Sequence, residues 1–252
     1  MSKHTLEGKV AVISGGAKNL GGLIARDFAQ RGAAGIAIHY HSDSTQAAAR
    51  DTAAAVEQSG AKSMIYQGDL SKVDQCAQLF AETTEKLGHA DIAINTAGMV
   101  LKKAFVETTE QDYDRMFDVN AKAAYFFIRE AAKNMNDGGK ICTILTSLLA
   151  AYTGFYSTYA GAKATVEHFT RAASKELGPR GISVTAVAPG PMDTPFFYAQ
   201  ETDETIAYHK SAAALGGLTD IKDIAPLVRF LVTEGWWITG QTIFANGGYT
   251  TR

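Results

Sequence analysis

The stretch Gly8-Lys-Val-Ala-Val-Ile-Ser14 runs without a break into Gly15-Gly-Ala-Lys-Asn-Leu-Gly21-Gly22 and then Leu23-Ile-Ala-Arg-Asp-Phe-Ala-Gln. Its apolar residues are continuous, as in a parallel strand buried on both faces. A glycine-rich turn follows, and the amphipathic segment after it reads as a helix closed by Gly32. Strand, glycine turn and helix in this order make a dinucleotide site the reading. Glycines let the backbone approach a pyrophosphate, and the helix N-terminus offers unpaired N–H groups to it.

Outward from this unit the same alternation repeats. Strands are expected at Gly35 to Tyr40, Lys62 to Gln67, Ala90 to Asn95, Ile141 to Leu145, Gly181 to Ala188 and Thr242 to Asn246. Helices are expected at Gln46 to Gln58, Asp74 to Leu87, Tyr159 to Leu177 and Asp220 to Thr233, with one long helix from Glu110 to Met135 stopped by Asp137-Gly-Gly139. Strands alternating with helices argue for an α/β fold, seven parallel strands with helices on both faces. The segment from about 192 to 218 has no clear periodicity and contains Phe196, Phe197, Tyr198 and Tyr208, which suits a functional lid with an aromatic mouth.

A chain of 252 residues that is 46% hydrophobic supports one large core, so a single domain over 1–252 is expected. A net charge of −2 and the lack of any basic run exclude nucleic-acid binding as a leading reading. No apolar stretch reaches membrane-spanning length, and the start Met1-Ser-Lys-His-Thr-Leu-Glu lacks the apolar core of a signal peptide. A cytoplasmic location without membrane contact is therefore expected. Cys76 and Cys142 are too few and too scattered for a disulfide framework or a metal site, and Cys142 reads as a buried free thiol.

The chemistry points to a second stretch. Ser147 stands where the fifth strand ends, and Tyr159-Ala-Gly-Ala-Lys163 follows at the start of a helix. Tyr159 and Lys163, four apart, share one helix face. A phenol is a poor acid near neutral pH, and a fixed ammonium nearby is expected to draw its pKa down into a usable range. Ser147 can hydrogen-bond a substrate oxygen beside the phenol.

Taken together, these residues resemble the short-chain dehydrogenases/reductases. The similarity covers Leu6 to Gly248 through Ser14-Gly-Gly-Ala-Lys-Asn-Leu-Gly21, Asp69-Leu70, Asn95-Thr-Ala-Gly98, Asn120, Ser147, Tyr159 with Lys163, Pro189-Gly190 with Thr194, and Thr239-Gly-Gln with Gly247-Gly248. The resemblance implies a single Rossmann-type doubly wound domain and a catalytic set of Asn120, Ser147, Tyr159 and Lys163. In it Tyr159 is the acid/base, Lys163 lowers its pKa and holds the nicotinamide ribose, Ser147 polarises the carbonyl, and Asn120 holds a relay water. The implied cofactor residues are Gly15, Lys18, Asn19, Leu20, Gly21, Tyr40, His41, Ser42, Asp69, Leu70, Asn95, Ala97, Gly98, Pro189, Gly190 and Thr194, together with Tyr159 and Lys163. Two positions depart from the family pattern. Asn19 replaces a glycine where positive φ is needed, and Asn tolerates that best among non-glycine residues. Thr96 replaces a second Asn.

The end of the second strand carries no acid before Asp43, which leaves room for a 2′-phosphate, and Lys18, His39, His41 and Ser42 can donate to it. NADP(H) is therefore expected over NAD(H). No cationic clamp is evident in the lid, so neutral ketones or acyl thioesters are favoured. The family includes 3-oxoacyl thioester reductases that dock a carrier protein, for which Lys133 and Lys175 are candidates. The readings are an NADPH-dependent reductase of a ketone or 3-oxoacyl carbonyl, an NAD(P)-dependent dehydrogenase of a polyol, sugar or steroid-like alcohol, and a non-catalytic dinucleotide sensor. The intact acid/base set disfavours the sensor. Aromatic residues Tyr125, Phe126, Phe127 and Phe169, with Val166, on two long helices suggest a homotetramer, with Trp236 and Trp237 as a second contact.

Overall fold

The computed structural model describes residues 4–151 and 153–251; Met1, Ser2 and Lys3 of the N-terminal stretch read above lie outside it. The strands are β1 (Val10–Ser14), β2 (Gly35–Tyr40), β3 (Lys62–Gln67), β4 (Ala90–Asn95), β5 (Met135–Ile144), β6 (Ser183–Pro189) and β7 (Thr242–Ala245). All pairs are parallel and the order is β3-β2-β1-β4-β5-β6-β7. The order reverses between β1 and β4, where Ser14 lies beside Asn95 at the strand ends. Such a switch point opens a crevice at the carboxyl edge of the sheet.

The two faces of the sheet are built from alternate residues. Ile13, Ile36, Ile38 and Ile94 pack into one core with helices α1 (Asn19–Gln30), α2 (Gln46–Gln58) and α9 (Ile221–Val232). Val12, Ala37 and Ala93 face the other, with Leu79 and Phe80 of α3 (Val73–Leu87) and Phe127 of α5 (Ala123–Asn134). Successive strand residues serve opposite faces because the strand has a two-residue period.

Several elements differ from the sequence expectation. The long helix over Glu110 to Met135 is α4 (Glu110–Phe117), a π-helical turn (Asp118–Lys122) and α5. Asn120 lies in that turn, and its side-chain N–H donates to Met116 O at 3.0 Å, inserting into the helix ladder. Met135 is paired with Ala90 in β5, and the Asp137-Gly-Gly139 segment is carried inside the strand range next to a register shift. Gly138, at φ 79, makes the irregularity possible. The expected lid folds into α7 (Pro195–Tyr198) and α8 (Asp203–Ala212), the second started by a Thr202–Thr205 capping box. The last long helix, α6 (Ser157–Leu177), begins two residues before Tyr159. No helix among the described residues is long and apolar enough to cross a membrane.

Candidate active site

A groove of about 850 Å³ runs along the carboxyl edge of the sheet, lined among others by Gly15, Lys18, Tyr40, His41, Ser42, Asp69, Leu70, Ala97 and Gly98. Its floor is a glycine turn with little room. Gly15 has φ +64, and a Cβ there would lie 2.8 Å from Thr96 Oγ1; one on Gly21 would lie 2.3 Å from Gly15 O. Such a backbone can come close to a ligand that a side chain would keep away. Asn19 adopts φ 49, which is the left-handed conformation expected of it. Thr96 does useful work of its own, donating to Ser14 O at 2.7 Å across the β1–β4 switch point.

Other predicted residues stand behind the groove. Leu20 is buried in the core. Asn95 accepts from the Ser14 hydroxyl at 2.6 Å, and Ser14 Oγ accepts from Ala97 N–H at 3.2 Å, so Asn95 shapes the loop after β4. The Asp69 carboxylate accepts from Ser71 N–H at 3.0 Å. Burial pulls its pKa up, but the bonds from Ser71 hold it net below the ordinary value.

The end of β2 holds one correction. His39 was expected to help bind a 2′-phosphate, yet its ring is buried and both nitrogens are used inside the protein. Nδ1 accepts from Gly15 N–H at 3.1 Å and Nε2 lies 2.9 Å from Gly68 O, which requires the neutral Nε2–H tautomer. Burial lowers its pKa to about 4, in keeping with that state. His39 therefore braces the glycine turn. The hydroxyl of buried Tyr40 is likewise engaged, by Gln67 and Gln46. Lys18 and His41 remain exposed, while Asp43, the nearest acid, accepts from Gln67 Nε2 at 2.7 Å.

A second pocket adjoins the groove and is lined by Ser147, Tyr159, Pro189, Gly190 and Thr194, with Phe196 and Phe197 from the lid. Of the expected aromatic mouth, Tyr198 instead donates to Asp193 at 2.7 Å and Tyr208 is largely exposed. Gly98, in the wall of the groove, packs against two residues of the expected catalytic set. A Cβ on it would lie 2.9 Å from Asn120 Oδ1 and 3.3 Å from Lys163 Nζ. Lys163 Nζ donates to Ile144 O at 2.9 Å. Asn120 donates to Met99 O at 2.9 Å as well as to Met116 O, and accepts from Met99 N–H at 3.1 Å. Both its N–H bonds are thus spent, one on the loop after β4 and the other on α4. A water bridged to Lys163 has to use the second lone pair of Oδ1 or the main chain.

The electrostatics reverse one expectation. Lys163 was expected to draw the Tyr159 pKa down; instead burial pushes the phenol up to about 12, with the hydrogen bond to Thr146 pulling the other way. Burial also brings the Lys163 ammonium down to about 8. Both charged forms lose solvation in the same enclosed space, and the ammonium's own bond goes to Ile144 O rather than to the phenol.

Several site residues were not found from sequence. Thr146 is next to Ser147, and Asn246 directly precedes the Gly247-Gly248 pair, so adjacency to a motif was the available signal. Glu201 carried none. Its buried carboxylate pairs with Lys102 at 2.5 Å, accepts from the Tyr156 hydroxyl, and lies 3.6 Å from His209 Nε2. His209 Nδ1 in turn meets Tyr249 Oη at 2.9 Å. Burial pulls the Glu201 pKa up, but hydrogen bonds from Lys102, Thr205 and Tyr156 hold it net below the ordinary value. This clasp fastens the lid to three other parts of the chain at the pocket wall. Lys102 is neutralised there, so it makes no cationic clamp.

Comparison with known proteins agrees with this fold. Residues 15–250 match the family model described as enoyl-(acyl carrier protein) reductase. A short-chain type dehydrogenase/reductase from Picea abies is 34% identical, the match covering 96% of this chain and 93% of the relative. The hydroxynaphthalene reductase-like protein Arp2 of Metarhizium brunneum is 32% identical over 98% of this chain and 97% of its own. Among solved structures, a Burkholderia cenocepacia protein with bound NADP is 59% identical with a TM-score of 0.98, covering 100% of this chain and 97% of the other. A blue fluorescent protein from a metagenomic library, in complex with NADPH, is 32% identical with a TM-score of 0.92 over 98% of this chain and 100% of the other.

Proposed function

Since the chain belongs to the short-chain dehydrogenase/reductase family of oxidoreductases, we propose that it is an NADPH-dependent reductase. It converts a ketone or 3-oxoacyl carbonyl to a secondary alcohol, with Tyr159 as the general acid. The observation that carries this reading is the packing of Gly98, in the groove wall, against Lys163, one helical turn from Tyr159. The groove is floored by a glycine turn, and Ser147 and Tyr159 line the second pocket together.

The groove suits NADP(H). Gly15 and Gly21 leave the close backbone approach a pyrophosphate needs. Lys18 of the glycine turn and His41 and Ser42 just after β2 line the groove where a 2′-phosphate would lie, with Asp43 held by Gln67. The NADP and NADPH complexes of the similar structures support this choice. When bound, NADPH supplies the hydride.

The protein's own part is proton placement. Tyr159 Oη gives its proton to the substrate oxygen, and Ser147 Oγ hydrogen-bonds the same oxygen as negative charge develops on it. Burial keeps the phenol protonated, so it holds the proton that reduction consumes. Lys163, still largely charged at pH 7 with a pKa of about 8, stands at Gly98 to hold the ribose and restore the proton. The pocket wall has apolar Val100, Leu148, Met192, Phe196 and Phe197 and no free cation among the residues lining it, which suits a neutral carbonyl compound. A carrier-bound thioester would need a basic dock. Of the two candidates, Lys133 is drawn to Glu130 at 3.3 Å and Lys175 is exposed.

The homotetramer reading rests on fewer residues than the sequence suggested. Phe127 and Val166 are buried in the chain's own core, whereas Tyr125 is 48% exposed beside Phe126 and Phe169, and Trp237 is 82% exposed. Light scattering at micromolar concentration tests it, and a monomer there would end it. The central test of the function is Tyr159→Phe, which keeps the ring and removes the proton. Turnover of a ketone panel should fall by roughly 10²–10⁴, with NADPH affinity nearly unchanged. Retention of more than about a tenth of wild-type turnover, with chemistry rate-limiting, would require another donor.

A further inference from the structure

Ser147 is held from behind. Its Oγ is buried and has two protein partners: it donates to Ala188 O at 3.2 Å, and it accepts from Asn246 Nδ2 at 2.9 Å. The orientation of the Asn246 amide is not free. Gly248 N–H, which can only donate, reaches Asn246 Oδ1 at 3.0 Å, so the NH₂ end must face Ser147. The other amide hydrogen goes to Thr250, whose Oγ1 lies at 2.8 Å. Ser147 Oγ is therefore an obligate acceptor toward Asn246. Its own proton is left to choose between Ala188 O, at the long end of the hydrogen-bond range, and whatever enters the pocket.

We propose that Asn246 is a positioning residue for the reduction. It fixes Ser147 Oγ from the side away from the pocket and ensures that Ser147 meets the substrate oxygen as a donor. Donation into the hydroxyl oxygen also polarises its O–H bond, strengthening the bond Ser147 makes in turn. Asn246 does not line the pocket, whereas Ser147 does, so its effect passes through Ser147. The inference rests on the reductase reading for its catalytic meaning. The hydrogen bond itself can be tested without turnover.

The experiment combines Asn246→Ala and Asn246→Asp with Ser147→Ala. Asn246→Asp keeps the acceptor for Gly248 N–H and the size of the side chain, but it cannot donate to Ser147 when ionised. Thr250→Ala serves as a control, because it removes the hydroxyl partner of the amide, keeps the Thr250 carbonyl at 3.3 Å, and leaves Ser147 alone. In ¹⁵N-edited spectra of the full chain, the Asn246 side-chain N–H signal, identified by its loss in Asn246→Asp, should shift in Ser147→Ala. With NADPH and 2,3-butanedione, kcat/KM should fall by about tenfold in the Asn246 variants, the worth of one hydrogen bond in the transition state. In a Ser147→Ala background the same substitutions should cost less than about twofold, because coupled residues are not additive. NADPH affinity and Thr250→Ala kinetics should stay near wild type. An Asn246 signal unmoved by Ser147→Ala would overturn the proposal. So would losses below twofold in both Asn246 variants, or an undiminished loss in the Ser147→Ala background. If the wild type fails to reduce the dione, the reductase reading is what suffers, and the spectrum alone decides the hydrogen bond.

Discussion

Replacing Lys163 by methionine should make the cofactor-free protein more stable at neutral pH while abolishing its catalysis. Lys163 is 5% exposed, and burial takes its pKa from the ordinary 10.5 to about 8. At pH 7 both folded and unfolded chains carry the charge, so the folded state bears the full penalty, about 3 kcal/mol. Between pH 8 and 10.5 the folded protein has released this proton and the unfolded chain has not. The unfolded state then binds more protons, and stability rises with pH at up to about 1.4 kcal/mol per pH unit. Above 10.5 both states are neutral and the penalty is gone. Methionine carries no proton and nearly matches the stem, but it loses the bond to Ile144 O, worth about 1 kcal/mol. The variant should therefore be more stable by about 2 kcal/mol at pH 7, a margin that shrinks and then reverses as pH climbs through the window. Urea unfolding of both proteins, without NADPH and at one protein concentration, should be followed at several pH values from 7 to 10. Taking the difference removes titrations common to both. A difference that stays flat from pH 8 to 10, or a variant less stable at pH 7, would show that Lys163 is not penalised by burial and would refute the argument.

Lys18→Ala should erode the preference for NADPH over NADH chiefly by weakening NADPH, by about 1.5–3 kcal/mol for one charge-assisted bond; equal dissociation constants in the wild type would sink the assignment. Gly98→Ala places a methyl 2.9 Å from Asn120 Oδ1 and 3.3 Å from Lys163 Nζ. It should lower stability by about 1–3 kcal/mol and depress kcat, and a variant with wild-type melting temperature and turnover would contradict that crowding. Glu201→Gln removes the charge that gathers Lys102, Tyr156 and His209. Hydrogen exchange should then quicken about tenfold across α7 and α8 with β1 to β4 unaffected; unchanged exchange in the lid would mean the clasp does not hold it.

Much of this protein was legible before any coordinates. The alternation of apolar runs with amphipathic segments determined the α/β class, because strand and helix periods are local properties of the chain. The family resemblance, with a glycine where Asn19 stands, gave that residue a positive φ, now seen at 49°. The four-residue spacing of Tyr159 and Lys163 placed them on one face of α6. Tertiary structure decided the rest. His39 looked like a phosphate donor from its place at the end of β2, but its role depends on Gly15 and Gly68, which close over it from other turns. The π-helical turn at Asn120 depends on a loop that Asn120 itself anchors at Met99. Ser147 depends on Asn246, 99 residues away, and the lid clasp depends on Lys102, 99 residues before Glu201. The direction of the Tyr159 and Lys163 pKa values also belonged to the fold. Spacing along a helix states which charges are near, but the solvation a charge loses is set by everything packed around it, and that enclosure comes from segments far apart in the chain.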